Sequence, residues 1–368
     1  MKENRQAAKE STLATVSPQN LRSSTVGLDL GDRWSRYCVA DRAGEVVAEE
    51  RVETKAEALD RLFRTMPATR VVLELGGHSP WASRQLAGYG HEVVVANARK
   101  VRLIYESDRK NDWLDARMLA RLGRVDASLL APVEHRSAEA QADLAVVRSR
   151  GALVAARTQL INAARGLVKA MGGRLPKSTT GAFALRTTSA IPQPLRVALA
   201  PLVKSIRELS EQIRKCDGRI EDLADTKYAE TRLLRQVKGV GTLTALTYVL
   251  TVEDPYRFPK SRAVGCYLGL RPRQNQSGES APQLGISKSG NGYLRRLLVQ
   301  CAQFILGPFG PDTSLRRWGL QLAARGGRNG KKRAVVAVAR KLAVLLHRLW
   351  VTADVYEPLR GQIRSQAA

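Results

Sequence analysis

The chain has 368 residues, of which 44% are hydrophobic and 26% are charged. This composition is typical of folded globular proteins and excludes a fibrous or wholly disordered chain, and the length suits two or three domains. Lys and Arg number 60 against 34 Asp and Glu, which gives a formal net charge of +26 and a pI near 10.6. Between residues 255 and 353 there are 18 Lys and Arg but only 2 acids. Such an excess of positive charge indicates a polyanionic partner.

No segment is typical of a membrane-spanning or secreted protein. The run most like a membrane span, residues 334–351, contains Arg340 and Lys341, which are costly at a bilayer centre. Residues 1–24 lack the apolar core of a signal peptide and predict a polar, disordered arm. The 4 cysteines and 4 histidines form no spacing typical of zinc sites or disulfide frameworks. We therefore expect a cytoplasmic protein.

Short apolar runs alternate with helical patterns in the first predicted domain, residues 25–130. Residues 25–31 predict a buried strand, and residues 36–41 and 45–52 predict a hairpin. The predicted elements that follow are a helix over 55–65, a strand over 69–76, a helix over 79–87, a strand over 91–97 and a helix over 111–122. The order βββαβαβα predicts a mixed α/β sheet covered by helices, as in ribonuclease H-like nucleases, with the first and fourth strands as neighbours.

The remaining chain predicts helices. Within residues 131–228, helical patterns over 138–171 and 195–224 flank a segment rich in Gly, Pro, Ser and Thr, which predicts a helical hairpin. The apolar residues of its second helix recur at steps of three, four or seven, which suits either a coiled-coil-like assembly arm or a plain packed hairpin. A mainly helical domain is predicted over 229–356, with helices over 293–305, 314–324 and 331–351, and a polar tail over 357–368.

Four carboxylates of the first domain are candidates for metal binding. Asp29 and Glu74 each lie in an otherwise apolar strand, where an uncompensated carboxylate is costly to desolvate. Asp112 and Asp115 are three residues apart and so share one helix face. We expect that helix to dock through Leu114, Met118, Leu119 and Leu122. Four carboxylates suit two hard divalent ions, which in phosphoryl transfer stabilise the attacking and leaving oxygens. Taken singly, the strand Asp also suits an actin-like ATPase, and the helix acids suit plain stabilisation by the helix dipole.

The third domain contains two motifs that suit contact with nucleic acid. Gly239 and Gly241 form a tight turn between two helical patterns, as in helix-hairpin-helix modules or in an ordinary helix corner. The polar loop over 269–289 contains serines, among them Ser277 and Ser280, and cations that neutralise phosphate oxygens while a hydroxyl attacks. The candidate cations in and after this loop are Arg271, Arg273, Lys288, Arg295, Arg296, Lys331, Lys332 and Arg333. A solvated serine-rich loop is the alternative.

These motifs together resemble one family over roughly residues 26–349. The sequence is similar to the DEDD/serine transposases of the insertion sequence one-ten family. These transposases are relatives of the Piv DNA invertase and are understood as bridge-RNA-guided recombinases. The motifs that carry the resemblance are VGLDLG, VVLELGGHSPW, KNDWLDARMLARL, VKGVGTLTA, the QSG sequence and ISKSGNGYLRR.

The resemblance implies a fold, a site and partners. It implies a RuvC-like first domain in which Asp29, Glu74, Asp112 and Asp115 bind Mg²⁺, and it matches Ser277 to the catalytic serine. Glu279 follows the SG pair where the family commonly has a small or basic residue, so Ser280 is the fallback nucleophile. The implied reaction is DNA strand exchange through a covalent phosphoserine intermediate. The implied partners are double-stranded donor and target DNA, a noncoding guide RNA and further copies of the chain, as a dimer or a synaptic tetramer on the prokaryotic nucleoid.

Two other functions remain compatible with the residues. A junction-resolving nuclease would use only the carboxylates and a metal-bound water, and a noncatalytic nucleic-acid scaffold would use only the basic surface. The 5% aromatic content disfavours proteins that read single strands by base stacking.

Overall fold

The computed structural model describes residues 21–97, 112–278, 280, 282, 284–327 and 329–359. Most of the predicted N-terminal arm and most of the predicted tail lie outside these residues. The chain forms two compact units, residues 1–138 and residues 139–368. The finer boundaries at 130, 228 and 356 stay predictions.

The N-terminal unit is built on a five-stranded mixed sheet with the strand order β3-β2-β1-β4-β5. Its strands are β1 (Thr25–Asp29), β2 (Trp34–Ala40), β3 (Val46–Glu53), β4 (Arg70–Glu74) and β5 (Glu92–Ala96), and its helices are α1 (Ala56–Phe63), α2 (Ser79–Gly88) and α3 (Asp112–Val125). Strands β1, β2 and β3 pair antiparallel, whereas β1, β4 and β5 pair parallel. The predicted element order and the predicted contact between the first and fourth strands are confirmed.

Both faces of this sheet are covered. Because successive strand residues point to opposite faces, β4 contributes Val71 and Leu73 to one core and Val72 to the other. The first core also contains Leu59 of α1 and Leu86 of α2. Helix α3 covers the opposite face.

Helix α3 approaches the sheet through small residues. A Cβ at Gly27 of β1 would overlap the carbonyl oxygen of Ala116 and the amide nitrogen of Ala120. Likewise, a Cβ at Gly123 would overlap the Val72 side chain of β4. Of the residues predicted to dock this helix, Leu119 is buried and Met118 and Leu122 are partly buried, as expected. The prediction is wrong for Leu114, whose side chain is 40% exposed. The close approach of the backbone at Gly27 selects the Ala116 face of α3 instead.

The C-terminal unit contains the predicted helical hairpin. It consists of α4 (Ala138–Ala170), the short helix α5 (Phe183–Thr187) and α6 (Arg196–Thr226). One buried cluster near the tip includes Val168 of α4 and Ile206 of α6, and another at the base includes Leu144 and Ile220. The apolar stripe of α6 therefore packs against α4 at both ends of the hairpin, and a role of this hairpin in assembly stays a prediction.

A second helical core completes this unit. Its helices are α7 (Thr231–Arg235), α8 (Thr242–Val252), α9 (Arg262–Tyr267), α10 (Gly292–Leu306), α11 (Ser314–Ala324) and α12 (Gly330–Thr352). Helix α12 is the apolar run noted in the sequence, and its His347 lies buried with Nε2 2.8 Å from the Pro255 carbonyl oxygen. Over the described ranges, no helix is long and apolar enough to cross a membrane.

Candidate active site

Asp29 and Glu74 end two neighbouring parallel strands at the same edge of the sheet. The register pairs Leu28 of β1 with Leu73 of β4, so the next residues of the two strands are the two acids. Adjacent strands lie about 4.8 Å apart. Both acids are half-buried, because the strand ends leave the apolar core at this point. The structure thus brings together the two strand carboxylates that the sequence singles out.

The first turn of α3 lies toward the same edge. Ala116 packs over Gly27, whereas Gly123, two turns further along, packs over Val72 and Thr25 at the start of β1. Helix α3 therefore runs opposite to β1, and its amino-terminal turn, with the half-buried Asp115, extends toward the Asp29 end of the strand.

A cation–π contact gives independent evidence for this placement. The guanidinium carbon of Arg36 lies 4.3 Å from the ring centroid of Trp113, in the first turn of α3. Arg36 is also the residue of β2 that pairs with Asp29. Neither Arg36 nor Trp113 stands out as a candidate in the sequence, although Trp113 lies inside the KNDWLDARMLARL motif.

The carboxylates offer hard oxygen ligands, which Mg²⁺ and Ca²⁺ prefer. Asp112 begins α3, but its side chain lies outside the described residues. Among the residues that the structure describes, no group of three or more His, Cys, Asp and Glu side chains lies close enough to hold a metal ion. The structure thus places Asp29, Glu74 and Asp115 toward one edge without joining them in a closed metal cluster.

The loops after β1 and β4 also meet at this edge. His78 Nε2 lies 3.9 Å from a carboxylate oxygen of the exposed Asp32, and Trp81 donates a 3.2 Å hydrogen bond to His78 Nδ1. Ser79 Oγ accepts a 3.0 Å hydrogen bond from the Gly76 amide and lies 2.9 Å from His135 Nε2. Burial, reinforced by nearby arginines, lowers the pKa of His135. The glycine turn behind Glu74 is therefore held by a polar network that links Ser79, within the motif VVLELGGHSPW, to His135, which lies outside it.

The candidate nucleophile lies on an irregular β-hairpin in the C-terminal unit. The predicted loop over 269–289 pairs with itself through hydrogen bonds from the Arg273 amide to Gly285 and from the Ser287 amide to Arg271, both 2.9 Å. Ser277 and Ser280 exchange backbone hydrogen bonds of 3.1 and 3.0 Å, which closes a two-residue turn. Such turns need a positive φ at their first central residue, and Gly278 has φ +56°. Both serines are exposed, so either hydroxyl is available to a substrate.

Arg295 holds the base of this hairpin. Its guanidinium donates hydrogen bonds of 2.9 Å to the Leu268 carbonyl and 2.7 Å to the Ser289 carbonyl, and burial lowers its pKa. A Cβ at Gly269 or Gly290 would overlap the opposing backbone, so the two strands approach closely here. Arg295, predicted to bind nucleic acid, thus contacts the protein main chain.

The other predicted cations lie on the surface. Arg271, Arg273, Lys288, Arg296, Lys331, Lys332 and Arg333 are all exposed. Arg296 also lies 5.5 Å from the Tyr293 ring centroid.

The glycine turn before α8 has a packing role. Gly239 adopts φ +98°, and a Cβ there would lie 2.7 Å from Phe304 Cδ1 of α10. Gly241 precedes α8 and has open space around its Cα. The geometry at Gly239 favours the helix-corner interpretation, whereas Gly241 leaves room for a phosphate at the helix start.

The carboxylate region and the serine hairpin each match a family model of transposases. Residues 26–172, which include the four acids, match a family model described as transposase. Residues 231–314, which include Ser277, match one described as transposase of the IS116/IS110/IS902 family.

Two bacterial transposases match most of the chain, and a bacterial gene-inverting protein matches part of it. A probable family 20 transposase of Pseudomonas aeruginosa is 30% identical over 91% of this chain and 99% of its own length. The transposase for insertion sequence element IS1111A of Coxiella burnetii is 29% identical over 90% of each chain. A pilin gene-inverting protein of Moraxella lacunata is 29% identical over 40% of this chain and 48% of its own length. The chain belongs to the IS110 family of insertion-sequence transposases, which are DNA recombinase enzymes.

Proposed function

We propose that the protein exchanges DNA strands through a covalent intermediate on Ser277, with the four acids as a divalent-metal site. The observation that carries the proposal is the Ser277–Ser280 turn, which presents an exposed hydroxyl on a hairpin that contains Arg271 and Arg273. A nucleophilic serine must be exposed so that its hydroxyl can contact the phosphorus of a bound DNA strand. Cations beside it offset the charge of the phosphate oxygens.

In the proposed reaction the Ser277 hydroxyl attacks a DNA phosphodiester. A bond forms between Oγ and phosphorus, one phosphorus–oxygen bond of the DNA backbone breaks, and the hydroxyl proton passes to solvent as the DNA oxygen leaves with a proton. The hydroxyl of another DNA end then attacks the phosphoserine and releases Ser277. The number of phosphodiester bonds is unchanged, so no external energy source is required.

The carboxylates would hold Mg²⁺ at the carboxyl ends of β1 and β4. The donor set fits a hard cation, since Asp29, Glu74, Asp112 and Asp115 supply only carboxylate oxygens. A bound divalent ion would stabilise the charge that develops on the phosphate oxygens. The strand order β3-β2-β1-β4-β5 with flanking helices supports a RuvC or ribonuclease H-like assignment for this unit.

We further propose that a noncoding guide RNA supplies the target choice and that several copies assemble on DNA. The net charge of +26 suits a protein that contacts two nucleic-acid backbones at once.

The test is strand exchange by purified protein on its native DNA ends, with the RNA that copurifies. We expect Ser277→Ala to abolish both exchange and the protein–DNA adduct seen on denaturing gels, since no nucleophile remains. Ser280→Ala is the matched control, because it removes an equally exposed hydroxyl from the opposite side of the same turn, and it should retain both.

Other outcomes have defined meanings. An adduct that disappears only in Ser280→Ala would move the nucleophile to Ser280. Full cleavage to free DNA ends in both variants would contradict the serine mechanism and favour a nuclease that uses metal-bound water. Copurification of a random RNA population would contradict the guide-RNA proposal alone.

A further inference from the structure

A basic cavity lies at the edge of the sheet opposite the acids. Its volume is about 540 Å³, and Arg22, Arg42, Arg70 and Arg124 line it together with a single acid, Glu92. With four arginines and one glutamate among its lining residues, the cavity has a net positive charge.

The strand directions place this cavity far from the carboxylates. Thr25, Arg70 and Glu92 are the first residues of the parallel strands β1, β4 and β5. Asp29 lies four residues further along β1, which corresponds to about 13 Å at the usual strand rise. The cavity is therefore separate from the carboxylate site.

Two of the arginines are fixed in place by the fold. Arg70 donates a 2.8 Å hydrogen bond to the Gly123 carbonyl and forms a 2.9 Å ion pair with Glu92. Arg124 of α3 donates a 3.1 Å hydrogen bond to the carbonyl of Arg42, in the turn between β2 and β3. Fixed guanidinium groups bind an anion with little further loss of side-chain freedom.

The hydrogen-bond donors of these two arginines are not all satisfied within the described chain. Within the described chain, the Nε atoms of Arg70 and Arg124 are buried without a hydrogen-bond partner. A buried polar atom of this kind costs free energy unless something compensates it. Arg22 and Arg42 are exposed and also line this cavity.

We propose that this cavity binds a phosphate of a nucleic-acid backbone. The planar guanidinium fork matches phosphate oxygens and can donate two hydrogen bonds at once. Nucleic acid is favoured over a free anion because the chain belongs to a DNA-acting family and has a large positive net charge. The cavity would hold a strand at the edge of the sheet remote from the carboxylates. The inference concerns binding alone and does not depend on the serine chemistry.

The test compares two charge-matched double variants of the full chain. The cavity variant is Arg22→Gln with Arg42→Gln, and the control is Lys55→Gln with Arg61→Gln. All four residues are exposed in the same unit, and neither control residue lines the cavity. Fluorescence anisotropy would measure affinity for labelled random-sequence duplex DNA and for single-stranded RNA over a salt series.

We expect the cavity variant to bind one or both probes about tenfold more weakly than the control, as when a charge-assisted hydrogen bond to a phosphate is removed. The slope of log affinity against log salt should fall by about 0.9 on duplex DNA, or about 0.7 on a single strand, for each phosphate that the variant no longer neutralises. The probe that responds identifies the strand that occupies the cavity. Equal weakening in both double variants, or none in either, would overturn the proposal. Strand exchange is not read in this assay, so a negative result would leave the Ser277 proposal standing.

Discussion

At the scale of single residues, Gly27 decides how closely α3 approaches the sheet. Its missing side chain lets the backbone of Ala116 and Ala120 lie directly on β1. Since Asp115 precedes Ala116 and Asp29 lies two residues after Gly27, the same contact sets the separation of the helix acid and the strand acid. Gly27, which has no side chain to take part in the reaction, therefore determines the geometry of the carboxylate site.

We expect Gly27→Ala to lower the free energy of unfolding of the N-terminal unit by about 3 kcal/mol, the upper end for overpacking, because backbone atoms must move. Strand exchange should fall with it, since α3 is displaced. The measurements are thermal denaturation and the exchange assay. Gly88→Ala is the control, because a Cβ at this exposed end of α2 meets nothing within 4 Å. Unchanged stability in Gly27→Ala would contradict the close approach.

The sequence identifies the acids at this scale but not the contacts that position them. Asp29 and Glu74 stand out because each interrupts an apolar strand, and desolvation makes such a position costly without a role. The expectation that Leu114 is buried is wrong, since apolar character alone does not show which face of a helix docks. The pairing of Arg36 with Trp113 depends on β2 lying beside β1, which residue type does not encode.

At the scale of elements, the hairpin over 269–289 departs most from its prediction. Its polar composition predicts a loop. Its two sides pair through only a few backbone hydrogen bonds, so its sequence lacks the alternation of apolar residues that predicts strands. The turn signal is present, however, because a glycine follows Ser277 at the position where a two-residue turn needs a positive φ. The Ser277–Gly278 pair thus combines a candidate nucleophile with the residue that shapes its turn.

We expect Gly278→Ala to slow formation of the protein–DNA adduct about fivefold, since the left-handed conformation costs a residue with a Cβ roughly 1 kcal/mol. Gly278→Asn should recover most of the rate, because Asn tolerates this conformation. A Cβ at Gly278 meets nothing within 4 Å, so a steric clash is not the cause.

Gly285→Ala is the control within the same hairpin. Its Cβ also has open space, and its φ is not positive. Adduct formation measured in single-turnover reactions should match that of the unaltered protein. Equal rates for Gly278→Ala and Gly285→Ala would show that the turn conformation does not matter for the reaction.

At the scale of the whole molecule, the apolar clusters of the described residues each belong to one unit. The clusters around Leu28 and Val72 lie wholly within residues 1–138, and those around Leu144, Ile206 and Leu342 lie wholly within residues 139–368. Burial of apolar surface is the main favourable contribution to folding. Because each unit has its own apolar cores, each can unfold in a transition of its own. We therefore expect calorimetry of the full chain to show two transitions. Gly27→Ala should lower the midpoint of one and leave the other in place, whereas a single transition that shifts as a whole would show that the two units unfold together.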